Sequence, residues 1–166
     1  MPKIDFVKSK IADADALMRL INVWRFQSNK IVFTNGCFDL LHKGHLHLLL
    51  NATNSDEKLI VAINSDKSVR KLKGSSRPIM DEESRLLLVA SLSYVDAVIL
   101  FEEDTPLELI KLIKPDFIVK GGDYKEEDVV GADFIKEYNG EVRIIDLLEG
   151  FATSSIEEKI RNASES

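Results

Sequence analysis

The chain has little cysteine, no long apolar run and no surplus of positive charge, and each shortage removes a class of protein. A single cysteine, Cys37, excludes an internal disulfide. No apolar run approaches the length needed to cross a bilayer, and the opening MPKIDFVKSK lacks the apolar stretch of a secretory signal. A cytoplasmic protein with no membrane partner is therefore expected. With 22 Lys and Arg against 28 Asp and Glu, the formal charge of −6 argues against general affinity for nucleic acid. Internal repeats, low-complexity segments and domain linkers are also missing. What remains, 166 residues that are 45% hydrophobic and 30% charged, is expected to form one soluble domain with a real core.

Short Val/Ile-rich runs at 31–34, 59–64, 95–101, 117–120 and 142–146 read as strands, and their unbroken apolar character suits burial on both faces. Helical patterns alternate with them. The expected fold is α/β, a Rossmann-like doubly wound sheet of five parallel strands. Leu17, Leu20, Ile21 and Trp24 recur at helical spacing ahead of the first strand, so 1–29 reads as a helical extension on a core of 30–166. That helix is expected on the sheet edge or in a dimer contact. Thr105-Pro106-Leu107-Glu108 predicts an N-cap with a capping-box glutamate. Asp81 predicts another N-cap, followed by the acidic first turn Glu82-Glu83. Arg85 lies in the same turn, where a cation opposes the helix dipole, and so is expected to serve an anion or an acidic partner.

All three histidines fall within six residues, His42, His45 and His47, just after the run Ile31-Val32-Phe33 and a glycine-bearing turn. A strand that ends in such a turn and feeds a helix presents N–H groups to an anion. Imidazoles there can follow a developing negative charge, and Gly44 lets the backbone approach a phosphate. A metal site from His42, His45, His47 and Asp39 is the competing reading, although His47 points elsewhere. Cys37 reads as a small residue fitting a crowded loop. The run 67–77 holds Lys67, Arg70, Lys71, Lys73 and Arg77 without an acid, and reads as a phosphate cover, a solvated surface or a weak RNA contact. Near the C-terminus, Ser154 and Glu157 could form a capping box, or the same hydroxyls could bind phosphate.

The segment 34–45, TNGCFDLLHKGH, resembles the signature of the nucleotidyltransferase superfamily built around an H-x-G-H element. A segment E-G-x-x-T-T/S, similar to Glu149–Ser154 here, accompanies it in the cytidylyltransferase branch. Asn64-Ser65-Asp66, LKGSSRP at 72–78, FEEDTP at 101–106 and VKGGDY at 119–124 look like the adenylyltransferase half of bacterial ADP-heptose synthases. The resemblance covers 30–161. Glycerol-3-phosphate cytidylyltransferase is the competing relative, but this chain has Ser93 and Leu147 where that family has arginines.

The resemblance implies ATP as substrate with Mg²⁺, a sugar 1-phosphate as acceptor and a homodimer. It implies that His42 and His45 stabilise the α-phosphate, with Thr34, Asn35, Gly36, Cys37, Phe38 and Gly44 beneath the nucleotide. Thr153 and Ser154 would hold the outer phosphates, with Lys73 and Arg85 as further anion contacts. Asn64, Asp66, Lys120, Gly121 and Asp123 complete the expected nucleotide-binding set. Asp39 is expected to fix the turn or the first histidine. A non-catalytic nucleotide sensor on the same fold is the reading from a different class.

Overall fold

The computed structural model describes residues 2–148, 150, 151 and 153–164, with the side chains of 154, 155, 157 and 164 outside that description. Strands β1 (Lys30–Gly36), β2 (Glu57–Asn64), β3 (Ala97–Phe101), β4 (Phe117–Gly121) and β5 (Glu141–Ile145) form one parallel sheet in the order β3-β2-β1-β4-β5. This is the expected Rossmann-like, doubly wound arrangement. Helices α1 (Lys3–Lys8), α2 (Ala14–Phe26), α3 (Lys43–Leu50), α4 (Asp66–Lys73), α5 (Glu82–Ala90), α6 (Leu107–Ile113), α7 (Ala132–Lys136) and α8 (Thr153–Ser164) punctuate the strands.

Because side chains alternate along a strand, β1 sends Ile31 and Phe33 to one face and Val32 to the other. The first face packs with Leu17, Ile21, Ile110, Ile113 and Ile118, and the second with Leu49, Val61, Val89 and Val98. The N-terminal helix thus lies on a sheet face and not on the edge. Residues just before it meet the edge instead: the Val98 N–H donates to the Lys10 carbonyl at 2.8 Å, and the Ala12 N–H donates to the Val98 carbonyl at 2.9 Å. That bridge covers β3, which would otherwise present unpaired backbone. Leu17 is fully buried, so Leu17→Ala should lower unfolding stability by about 2–5 kcal/mol. Urea denaturation reads this directly.

Two local expectations need correction. The third strand begins at Ala97 and not at Val95, since the Val95 N–H donates to the Leu92 carbonyl in a turn. Val95 is apolar because it is buried, not because it is extended. At α6 the cap is Pro106, with no side-chain hydrogen bond, so the Thr105 capping box is not formed. Asp81 does cap α5, accepting from the Ser84 N–H at 2.9 Å.

The order of strands decides where the fold opens. β1 pairs with β2 along its whole length, yet its pairing with β4 is confined to Val32–Phe117 and Phe33–Ile118. Beyond that point the two strands part, at the place where the chain switches from one side of β1 to the other. Ligands of such sheets sit in this crevice at the carboxyl ends of the strands.

Candidate active site

β1 runs out into the turn that carries the histidines, and two buried ionic groups hold that turn. Phe38 takes a φ of +49°, unusual for a residue with a Cβ, and its ring lies against Gly36, where an added Cβ would sit 3.2 Å away. Behind it, Arg85 is fully buried. Its guanidinium donates to the Cys37 carbonyl at 2.6 Å, the Met80 carbonyl at 3.1 Å and the Asp66 carboxylate at 2.8 Å. The acidic partner anticipated from its place in the helix is Asp66. The open anion contact is not what this placement provides.

Asp39, almost wholly buried, accepts from the Arg77 guanidinium and from the Ile79 and Met80 N–H groups at 2.8 and 2.9 Å. Burial pushes its carboxyl up, but those two amides and Arg77 outweigh burial and hold it below the usual carboxylate range. It therefore ties the turn to residues 77–80 and not to His42. Of the basic run, Lys67 and Lys71 form surface ion pairs with Glu102 and Asp104, and Arg77 serves Asp39.

His42 is the N-cap of α3, and its Nδ1 accepts the Gly44 N–H at 3.1 Å. The ring proton must then reside on Nε2, available as a donor. His45 stacks on it with ring centroids 3.8 Å apart, and its ring centroid also lies 5.2 Å from that of Phe38 in a tilted contact. Gly44 is obligatory between them, because a Cβ would stand 2.8 Å from the Phe151 carbonyl oxygen and 2.9 Å from the His42 ring.

Burial holds His42 below its ordinary value of 6.5, and carries His45 down to about 4. The charges of His42 and Lys73 act on His45 in the same direction, while the Leu40 backbone opposes them. Both rings are neutral at pH 7. Because the unfolded chain takes up the proton first as pH falls, stability is intact above 6.5 and is lost between 6.5 and about 4. His45 alone should account for up to about 3 kcal/mol of that loss. Urea titrations at pH 7.5, 6, 5 and 4.5 should show it, and His45→Gln should flatten the profile.

Two clefts meet at the end of β1. The larger, about 540 Å³, is lined by Thr34, Asn35, Gly36, Cys37, Phe38, His42, Gly44, His45, Lys120, Gly121, Asp123 and Thr153 among others. The smaller, about 420 Å³, shares Asn35, Gly36, Cys37 and Lys120, and adds Asn64 and Lys73. Of the remaining expected residues, Arg85 and Asp66 lie behind the turn as a pair. Thr34 is fully buried, and its hydroxyl donates to the Val119 carbonyl at 2.9 Å where β1 and β4 diverge. Asn64, also buried, donates to the Ser68 hydroxyl at 3.0 Å. The side chain of Ser154 lies outside the described residues, as do Glu149 and the side chain of Glu157, so neither role of that segment is visible.

His47 stays on α3 beside Asn51, away from both clefts. No group of three or more His, Cys, Asp or Glu suited to a metal occurs among the described residues.

A model of the cytidylyltransferase-like family matches residues 33–161, from the middle of β1 into α8. The chain belongs to the cytidylyltransferase-like family. This cytidylyltransferase-like chain is 47% identical over 156 residues to the bifunctional protein HldE of Koribacter versatilis, covering 94% of this chain and 32% of that one. It thus spans about a third of the length of the curated relatives it matches. A solved lipopolysaccharide core biosynthesis protein from Thermoplasma volcanium is 31% identical, with a TM-score of 0.57 over 72% of this chain and 96% of that one. Pantoate-β-alanine ligase from Francisella tularensis, 16% identical with a TM-score of 0.59 over 94% of this chain and 79% of that one, shares the fold.

Several lining residues of this cytidylyltransferase-like site escape sequence reasoning. Tyr124, Ile145, Asp146, Leu147 and Phe151 border the larger cleft. Phe151 also lies 5.1 Å from the Lys43 ammonium, which gives the variable position of H-x-G-H a cation–π partner. VKGGDY and EGFATSS contain Tyr124 and Phe151, so their motifs were a signal. Ile145 and Asp146 carry none, since they read only as the end of a strand, whereas Leu147 is the position where the rival family has an arginine.

Proposed function

We propose that this chain transfers the AMP moiety of ATP to D-glycero-β-D-manno-heptose 1-phosphate, giving ADP-heptose and pyrophosphate for lipopolysaccharide core assembly. The observation that carries this reading is the pair of clefts meeting at Asn35–Cys37, one lined by the two imidazoles and the other by Lys73. A reaction that joins two phosphate-bearing substrates needs two adjoining anion sites. The identity with HldE over nearly the whole chain supports the heptose and the adenine.

A phosphate monoester is ionised near neutral pH, with a second pKa of about 6, so its oxygen attacks without a strong base. As the new bond to the α-phosphorus forms, the bond to the bridging oxygen breaks in line and pyrophosphate leaves with the electron pair. Catalysis is then positioning and charge stabilisation. Neutral His42 donates from Nε2 and His45 donates beside it, both toward the α-phosphate oxygens. Thr153 and Ser154 hold the outer phosphates, and Gly121 and Asp123 border the nucleotide. Asp123 and Asp146, the carboxylates of the larger cleft, would hold a Mg²⁺ bound with the triphosphate, and its charge would offset that of the phosphates. Residues 30–166 act as the catalytic core of a cytoplasmic homodimer, for which the exposed Val23 and Phe26 of α2 offer apolar surface.

Pyrophosphate release with ATP, CTP, GTP and UTP, each offered heptose 1-phosphate or glycerol 3-phosphate, tests the reaction. Turnover only with ATP and the heptose is expected. CTP with glycerol 3-phosphate as the active pair would move the chain to the rival branch, and nucleotide binding without pyrophosphate would make it a sensor. Sedimentation velocity tests the dimer.

A further inference from the structure

Among the described residues, one cation borders both clefts. His42 and His45 line only the larger and Lys73 only the smaller, whereas Lys120 lines both. Lys120 leaves the end of β4 just where that strand parts from β1, and it is only 9% exposed. Its Nζ donates to the Asn35 side-chain oxygen at 2.6 Å and to the Asn35 carbonyl at 3.2 Å, and it lies 5.2 Å from the Tyr124 ring centroid. Both acceptors are neutral. Burial pushes the ammonium down to about 8, with Asp123 and Cys37 pulling the other way. A buried cation without a bonded anion is costly to maintain, and here it stands where two anionic ligands would approach one another.

We infer that Lys120 is the catalytic cation between the two substrates, exchanging Asn35 for the attacking phosphate and the α-phosphate together and so making their binding synergistic. The inference rests on the reading of a two-phosphate transfer given above. Two like-charged phosphates repel as they come within bonding distance, and a shared cation converts that repulsion into attraction. The imidazoles cannot do this, since they are neutral and face one cleft. If Lys120 were only a strut for Asn35, its removal would weaken each ligand separately and leave their coupling alone.

Calorimetry on the full chain separates the two. The probes are α,β-methylene-ATP with Mg²⁺ and D-glycero-β-D-manno-heptose 1-phosphate, each titrated alone and in the presence of the other. The nucleotide analogue should tighten acceptor binding about tenfold in the wild type. In Lys120→Met that factor should fall below one and kcat should drop by about 10²-fold or more, while Lys120→Arg, which keeps the charge, retains a factor above one. A wild-type protein that turns over, with the coupling factor unchanged in Lys120→Met, overturns the inference and leaves the functional reading standing. A wild-type protein that binds neither probe overturns both. Should Lys120→Met fail to fold, competitive acetylation of the wild type decides: each ligand alone should slow labelling of Lys120, and protection by only one of them overturns the shared role.

Discussion

His45→Ala should lower kcat by roughly 10²–10³-fold while leaving the nucleotide KM nearly unchanged, because the lost donor acts on charge that develops only in the transition state. The neutral state of the ring makes this a hydrogen-bond effect. An imidazolium would attract the ground-state triphosphate as well, and its loss would then raise KM. Steady-state kinetics with both substrates varied is the measurement, and an intact kcat with a raised KM would overturn the role. His42 calls for a different substitution. Its Nδ1 caps α3, so His42→Ala removes a donor and a cap together, the cap alone being worth about 0.5–2 kcal/mol. His42→Asn can keep the cap while losing the donor, so its effect should appear in kcat without a matching loss of stability.

Arg85→Met should cost about 3 kcal/mol of unfolding free energy, since it strands a half-buried carboxylate and two backbone carbonyls at once. Asp66, with 23% of its side chain exposed, keeps some access to water and recovers part of the loss. Because the Cys37 carbonyl belongs to the turn under both clefts, the nucleotide KM should rise together with the loss of stability. Arg85→Lys should rescue little, because a single ammonium cannot span three acceptors set by a planar fork. Urea denaturation within about 0.5 kcal/mol of wild type would show that the pair contributes nothing net, as exposed ion pairs often do not.

These expectations separate what local sequence carries from what it does not. The strands are legible because each is a contiguous apolar run, and α2 because Leu17, Ile21 and Trp24 repeat at its period. Val95 misleads for an instructive reason: apolarity reports burial, and a buried turn residue is as apolar as a strand residue. Thr105 misleads because capping chemistry was present in the residues, yet the chain enters the helix one residue later, at Pro106.

By itself, the sequence determined the α/β class, the five strands and the pairing of His42 with His45, all of which depend on residues close together along the chain. It also determined that the histidines begin a helix, through the turn before them and Gly44 between them. Only the tertiary structure decided that Arg85 reaches Cys37 and Asp66, that Asp39 holds Arg77, and that Lys120 meets Asn35, contacts that span 19 to 85 positions. It alone made two clefts from one crevice, because that depends on β4 crossing to the far side of β1. Strand order is a choice among packings, settled by which faces bury one another, and no single segment of sequence contains it.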